Sequence, residues 1–298
     1  MKVGVVLPMG SHGGPPDAWP GLRGFASRAE AVGLDSLWAF DHVLFRFEGQ
    51  PERGVLEAWT ILSALAQATS RVELGSLVLG LRLRNPALLA KMAVTLDEVS
   101  SGRFTLGVGA GWHDPEYEAF GYPLDHRLGR TEESLDLLMT LLREGRASAH
   151  GQWVQARDAA LLPAATRRIP VLGAGRSPRM MRMIARHADA FNAAWVARPS
   201  DPVLRERMAA FDVACSEVGR DPAGVARTVG VSVRYPDAVL AGPSPDPAKN
   251  LAGTTQQIAA GLRAFADAGY AHLMVWLEPM TVASLDRLAE SVALFRGT

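Results

Sequence analysis

Residues 68–112 read ATSRVELGSLVLGLRLRNPALLAKMAVTLDEVSSGRFTLGVGAGW. The run 72–79 is apolar and small with no polar–apolar alternation, which marks a strand buried on both faces. Residues 87–99 carry apolar side chains at helical spacing. Ser101-Gly102-Arg103 makes a turn, and 104–109 is a second doubly buried strand. Strand, helix and strand in that order imply a parallel sheet.

The same unit recurs on both sides. Further strands are expected at 3–7, 36–40, 169–172, 190–194, 227–234 and 272–277. Helices are expected at 22–32, 55–69, 130–143, 179–187, 203–218, 255–268 and 282–295. Eight strand–helix pairs in 298 residues fit an α/β chain folded as a (β/α)8 TIM barrel, with an open doubly wound sheet as the runner-up. No linker divides the chain, so 1–298 reads as one domain. Extra segments are expected as loops at the C-terminal face: 10–20, 111–126 and a Pro/Gly/Asp-rich loop at 236–250. Residues 149–163 read as a small hairpin or an irregular crossing.

Composition narrows the function. Lys+Arg and Asp+Glu are both 31, so the net charge is zero, which disfavours a dedicated nucleic-acid binder. The one cysteine, Cys215, falls on the buried stripe of a helix and cannot form an intrachain disulfide. The opening MKVGVVLPMG is stopped by Pro8 and reads as a first strand, not a signal peptide. No run reaches the roughly 18 apolar residues of a membrane span. A cytoplasmic protein acting on a small molecule, without nucleic acid or membrane, is expected.

A barrel of this kind places chemistry at the carboxyl ends of its strands. Asp41-His42 follows the second strand, and an imidazole beside a carboxylate can move a proton near neutral pH. Gly109-Ala110-Gly111-Trp112 ends the fourth. Small residues there leave room for a flat group, with Trp112 as a wall. Gly173-Ala174-Gly175-Arg176 follows the fifth strand, with Ser177 as helix cap and Pro178 at the first helical position, a credible phosphate cradle. His113, Asp114, Glu116, Glu118 and His126 crowd one loop. They lack the spacing of a metal site and read as solvated, with one or two reaching the pocket. Arg82 and Arg84 likewise read as mostly solvated.

The segments AEAVGLDSLWAFDH (29–42), 68–112 as quoted, and IPVLGAGRSPRMMRMIARHADAFN (169–192), in this order, resemble the luciferase-like monooxygenase superfamily. The resemblance implies a luciferase-like barrel with a flavin-type cofactor at its mouth. Its nearest branch implies F420-dependent hydride transfer to or from a small organic substrate. The alternatives are an FMN-dependent monooxygenase using reduced flavin and O2, served by a flavin reductase partner, and a non-catalytic flavin-binding barrel. Carried over by position, Asp41 and His42 lie beside the ring as the catalytic pair. Leu77-Val78 matches a bulge that often holds a non-prolyl cis peptide. Gly109, Ala110 and Gly111 pass the cofactor, and Gly173, Ala174, Gly175 and Arg176 hold its phosphate. Trp112, Glu116 and Trp195 line the substrate pocket, and no metal is implied. Trp112 stands where sugar-phosphate dehydrogenases of the family carry a glutamate acid. Dimers are common in the family, so a homodimer is implied.

Overall fold

The computed structural model describes residues 1–10, 18–238 and 249–297. Eight strands run in chain order: β1 (Lys2–Val6), β2 (Ser36–Ala39), β3 (Glu73–Ser76), β4 (Phe104–Gly109), β5 (Val171–Ala174), β6 (Ala190–Trp195), β7 (Ala226–Arg234) and β8 (His272–Glu278). Each pairs in parallel with the next, and β1 closes on β8 through Lys2↔His272 and Val5↔Val275. The result is the (β/α)8 barrel. Closure removes the sheet edges that the open alternative would leave exposed.

Among the described residues eight helices cover the outside: α1 (Trp19–Ala31), α2 (Ala58–Ala68), α3 (Pro86–Val99), α4 (Arg127–Glu144), α5 (Pro178–His187), α6 (Pro202–Glu217), α7 (Thr255–Asp267) and α8 (Val282–Arg296). Their starts follow capping chemistry. Asn85 accepts from the Ala87 and Leu88 amides, with Pro86 beginning α3. Ser177 accepts from the Met180 amide and Pro178 begins α5, as the sequence indicated. Glu57 caps α2 by accepting from the Trp59 and Thr60 amides.

The barrel interior is filled, not hollow. Trp38 lies against Gly75, where a Cβ would overlap its ring, and its Nε1–H donates to Ser36 Oγ at 2.7 Å. Ser36 Oγ also bonds His272 Nε2 at 2.7 Å. Burial pushes the His272 imidazole down to about 3, so it stays neutral in the core. Trp38 is therefore core packing. Cys215 is buried in α6, and burial pushes its thiol up.

Several local expectations change. The strand expected over 72–79 breaks after Ser76, and Leu79–Gly80 resumes pairing against Val108 and Gly109 of β4. Between them the Leu77–Val78 peptide bond is cis, the geometry the resemblance implied there. The loop 111–126 contains a short helix, Asp114–Ala119, and residues 146–160 form an antiparallel hairpin. A smaller hairpin pairs Leu44–Phe45 with Arg53–Gly54. Most of the loop expected at 236–250 lies outside the described residues, as does much of 10–20. Among the described residues no helix is long and apolar enough to cross a membrane.

Candidate active site

The carboxyl ends of β2, β4, β6 and β8 carry an arc of rings. Trp195 meets Trp276 edge-on at 6.0 Å, and Trp276 meets Phe40 at 5.6 Å. Phe40 lies 6.3 Å from His42, and His42 5.4 Å from Trp112. Phe45 and Phe47 of the small hairpin extend the wall, with Phe47 stacked on Trp112 at 6.4 Å. Trp112 is 55% exposed despite its size, so one face of a large apolar ring is left open beside His42. Trp276, near the end of β8, joins this arc.

His42 and Glu116 come together. His42 Nδ1 lies 2.9 Å from Glu116 Oε1, and the Val43 amide donates to Glu116 Oε2 at 2.9 Å. Glu116 is only 1% exposed, so it sits behind the imidazole instead of in the open pocket. Among the described residues His42 Nε2 has no hydrogen-bond partner and is not enclosed by them, which leaves it as the ring's accessible nitrogen. His113, expected in a solvated loop, is buried, and its Nε2 accepts from the Arg46 amide at 3.0 Å. Burial holds His113 below the usual histidine range, consistent with a neutral acceptor.

Asp41, the neighbour of His42 in sequence, faces elsewhere. Its two oxygens accept from Arg84 Nη1 at 2.7 Å and Nη2 at 2.9 Å, and the Gly80 amide donates to Oδ2 at 2.9 Å. Arg84 also bonds Glu57, the cap of α2. Burial works against the Arg84 cation, but Asp41 and Glu57 outweigh it and raise its pKa. Burial pushes the Glu57 carboxyl up, while Thr60, Trp59 and Arg84 outweigh it and leave it below its ordinary value. Arg84 is thus no solvated charge: it joins β2, the 79–80 strand and α2 under the site. Arg82 is buried too, its guanidinium 3.9 Å above the Tyr117 ring and donating to the Ala110 carbonyl at 3.2 Å. These two corrections share a cause. Arg82 lies within the Leu81–Leu83 turn that follows the 79–80 strand, and Arg84 is the residue that ends it.

The glycines expected to clear space for a ring are set by protein neighbours. A Cβ on Gly107 would overlap the Ser76 carbonyl, and one on Gly109 would lie 2.6 Å from Val78 Cγ2 and 3.3 Å from the Ala174 carbonyl. Gly111 has φ +69°, and a Cβ there would strike the Tyr117 hydroxyl. These contacts bring Val78, Gly109 and Ala174 side by side. Gly173 and Gly175 admit Ile184 and Met180 of α5. Beyond them, Arg176 is exposed and has no ion pair among the described residues; burial, and after it the nearby Arg176 cation, depress the pKa of Arg207 in α6. Arg207 donates to the Ala193 carbonyl at 2.8 Å. A pair of like charges beside an open helix start is what an anion would neutralise. Arg207 was invisible to sequence reading because it lies inside α6, remote from any motif. Among the described residues no group of three or more His, Cys, Asp or Glu could hold a metal ion.

Residues 1–238 match the family model described as luciferase-like monooxygenase. The chain is 31% identical over 237 residues to the pyrimidine monooxygenase RutA of Allorhizobium ampelinum, covering 74% of this chain and 64% of that one. It is 34% identical over 204 residues to the enzyme of that name from Methylorubrum extorquens, covering 63% and 56%. It therefore spans less than two thirds of the length of these curated relatives. Among solved structures, an F420-dependent secondary alcohol dehydrogenase with an F420–acetone adduct superposes with TM-score 0.80 at 21% identity, covering 99% of both chains. Monooxygenase RslO1 from Streptomyces bottropensis does so with TM-score 0.77 at 19% identity, covering 99% and 100%. At these identities the structural likeness shows the fold.

Proposed function

The chain belongs to the luciferase-like monooxygenase family, and from that premise we propose that it is an FMN-dependent monooxygenase acting on a small planar molecule. F420-dependent hydride transfer, the first reading of the sequence, becomes the second. The observation that carries this order is the 31–34% identity to relatives named pyrimidine monooxygenase, against 21% to the F420-dependent dehydrogenase.

The residues present fit a flavin mononucleotide. Arg176 and Arg207, with the Ser177-capped start of α5, form a cationic end suited to its phosphate. Leu77-Val78 and Gly109-Ala110-Gly111 offer a close-packed backbone shelf for its ring, and the aromatic arc offers the opposite wall. When bound, reduced FMN supplies the electrons with which dioxygen is activated, and a separate flavin reductase supplies the reduced FMN. Trp112 and Trp195 bind the planar substrate by stacking and exclude water from it. His42 holds or accepts a proton at Nε2. Asp41 is a positioning residue that fixes the end of β2 through Arg84.

The test is a paired titration of cofactor-free protein with FMN and F420, followed by oxygen uptake with a flavin reductase and a panel beginning with uracil. Tight FMN binding with substrate-dependent oxygen uptake supports the reading. Tight binding of F420 alone reverses the order of the two cofactors. Binding of neither leaves the non-catalytic barrel.

A further inference from the structure

Glu116 has an arrangement that ordinary loop packing does not require. Its carboxylate is buried at the start of the short helix Asp114–Ala119, and each oxygen has a defined use. Oε2 receives the Val43 amide at 2.9 Å, and an amide N–H can only donate. Oε1 faces His42 Nδ1 at 2.9 Å. Two proton placements satisfy that contact. An ionised carboxylate accepts from Nδ1–H and leaves a lone pair on Nε2. A protonated carboxyl donates to Nδ1 and leaves the hydrogen on Nε2.

The surroundings choose between them. The groups packed about His42 are the rings of Phe40, Phe45 and Trp112, the His113 imidazole, and Glu116 itself. His113 offers its Nε2 to the Arg46 amide, so it is an acceptor and not a cation. Asp41 is engaged by Arg84, and Asp114 by Arg127. The Val43 amide donates to Glu116 Oε2 at 2.9 Å and the Leu44 amide points at the same oxygen at 3.5 Å, so the backbone groups about this carboxyl treat it as an acceptor.

We propose that Glu116 is a positioning residue for His42, holding the imidazole as the Nδ1–H tautomer so that Nε2 is the accessible lone-pair nitrogen. This rests on the monooxygenase reading only for its purpose; the pair itself is a property of the chain. When Nε2 takes a proton, the bonding pair stays on the donor atom. The imidazolium then faces the Glu116 carboxylate, the His42–Glu116 pair passes from −1 to zero, and the donor gains the negative charge. The same carboxylate anchors Val43, so the ring's orientation and its tautomer are set by one side chain.

The experiment is long-range proton–nitrogen correlation NMR on 15N-labelled protein, with His42→Gln identifying the His42 signals. The wild-type chain is expected to show the Nδ1–H tautomer. In Glu116→Gln the Val43 amide keeps the side-chain oxygen, so the new NH2 group donates to Nδ1 and the tautomer is expected to switch to Nε2–H. kcat should fall about 10- to 100-fold with KM little changed. Glu116→Asp should keep the Nδ1–H tautomer. An Nε2–H tautomer in the wild type overturns the proposal even if every Glu116 variant misfolds, and so does an unchanged Nδ1–H tautomer in a folded Glu116→Gln chain. Turnover that survives His42→Gln overturns the monooxygenase role of His42. The NMR readings need neither flavin nor oxygen, so they judge the pair separately.

Discussion

Asp41→Asn tests whether the residue beside His42 supports the site or contacts its ligand. The substitution keeps the shape and removes the charge. Asp41 accepts both terminal nitrogens of Arg84, at 2.7 and 2.9 Å, and the Gly80 amide. Its side chain is fully buried and that of Arg84 is 13% exposed, so solvent cannot replace what is lost. An Asn amide group also turns a donor toward a guanidinium that has only donors. Breaking a buried pair by removing one partner costs about 3–5 kcal/mol. Unfolding entropy of about 2.1 cal/mol/K per residue gives roughly 0.6 kcal/mol/K for a chain this long. The melting temperature should therefore fall by about 5–8 °C. Circular-dichroism melts and urea midpoints measure this, and Asp41→Asn/Arg84→Met should recover much of the loss because the largely buried guanidinium, left with Glu57 alone, is then gone. The flavin dissociation constant, measured well below the melt, should change less than about threefold. A melting temperature within about 2 °C of wild type, or a large loss of flavin affinity in a stable variant, refutes the positioning role.

Three further outcomes follow from the geometry. His272 has its folded pKa at about 3, below the unfolded value, so the unfolded chain alone takes up a proton between these limits. Stability present above about pH 6.5 is then lost as pH falls, by about 2 kcal/mol at pH 5 from this group; urea midpoints of wild type and His272→Gln at pH 7.5 and 5 should differ in slope, and equal slopes would remove His272 from the acid response. Arg176→Ala/Arg207→Ala should weaken FMN by about 10- to 100-fold and leave riboflavin unchanged; equal losses for both ligands would move the phosphate elsewhere. Trp112→Ala should raise KM for planar substrates about tenfold or more with a smaller change for saturated ones, because the stacking face is removed; parallel changes would place Trp112 outside the pocket.

The barrel was legible because its strands are buried on both faces, a signal that survives without knowledge of partners. β1 and β4 read directly from their apolar runs. β3 was read too long because Leu77 and Val78 are as apolar as their neighbours, and apolarity does not report a break in pairing. The helix at Asp114–Ala119 was missed because Pro115 and its acidic neighbours look like loop. The hairpin at 44–54 was missed because its strands are two residues each. His42 and Trp112 were found from their places after strands. Arg84 was misread because a guanidinium looks solvated until its carboxylates, 43 and 27 residues away, are folded against it. Glu116 was named for the pocket, but its service behind His42 depends on a contact across 74 positions.

The wall formed by residues 43–47 is fastened in an unusual way. Glu116 and His113 grip it by the Val43 and Arg46 amides, which every residue except proline possesses. The Phe45 and Phe47 rings add contacts of their own, to His42, His113, Trp112 and the Arg53 guanidinium. Exchanges among aromatic residues at positions 45 and 47 should therefore retune substrate preference while the backbone anchors keep the wall in place. The two anchors, 113 and 116, should by contrast refuse almost every exchange. In a directed-evolution campaign the permissive and forbidden positions would lie within a few ångströms of each other, separated by whether the chain is held by its backbone or by its side chains.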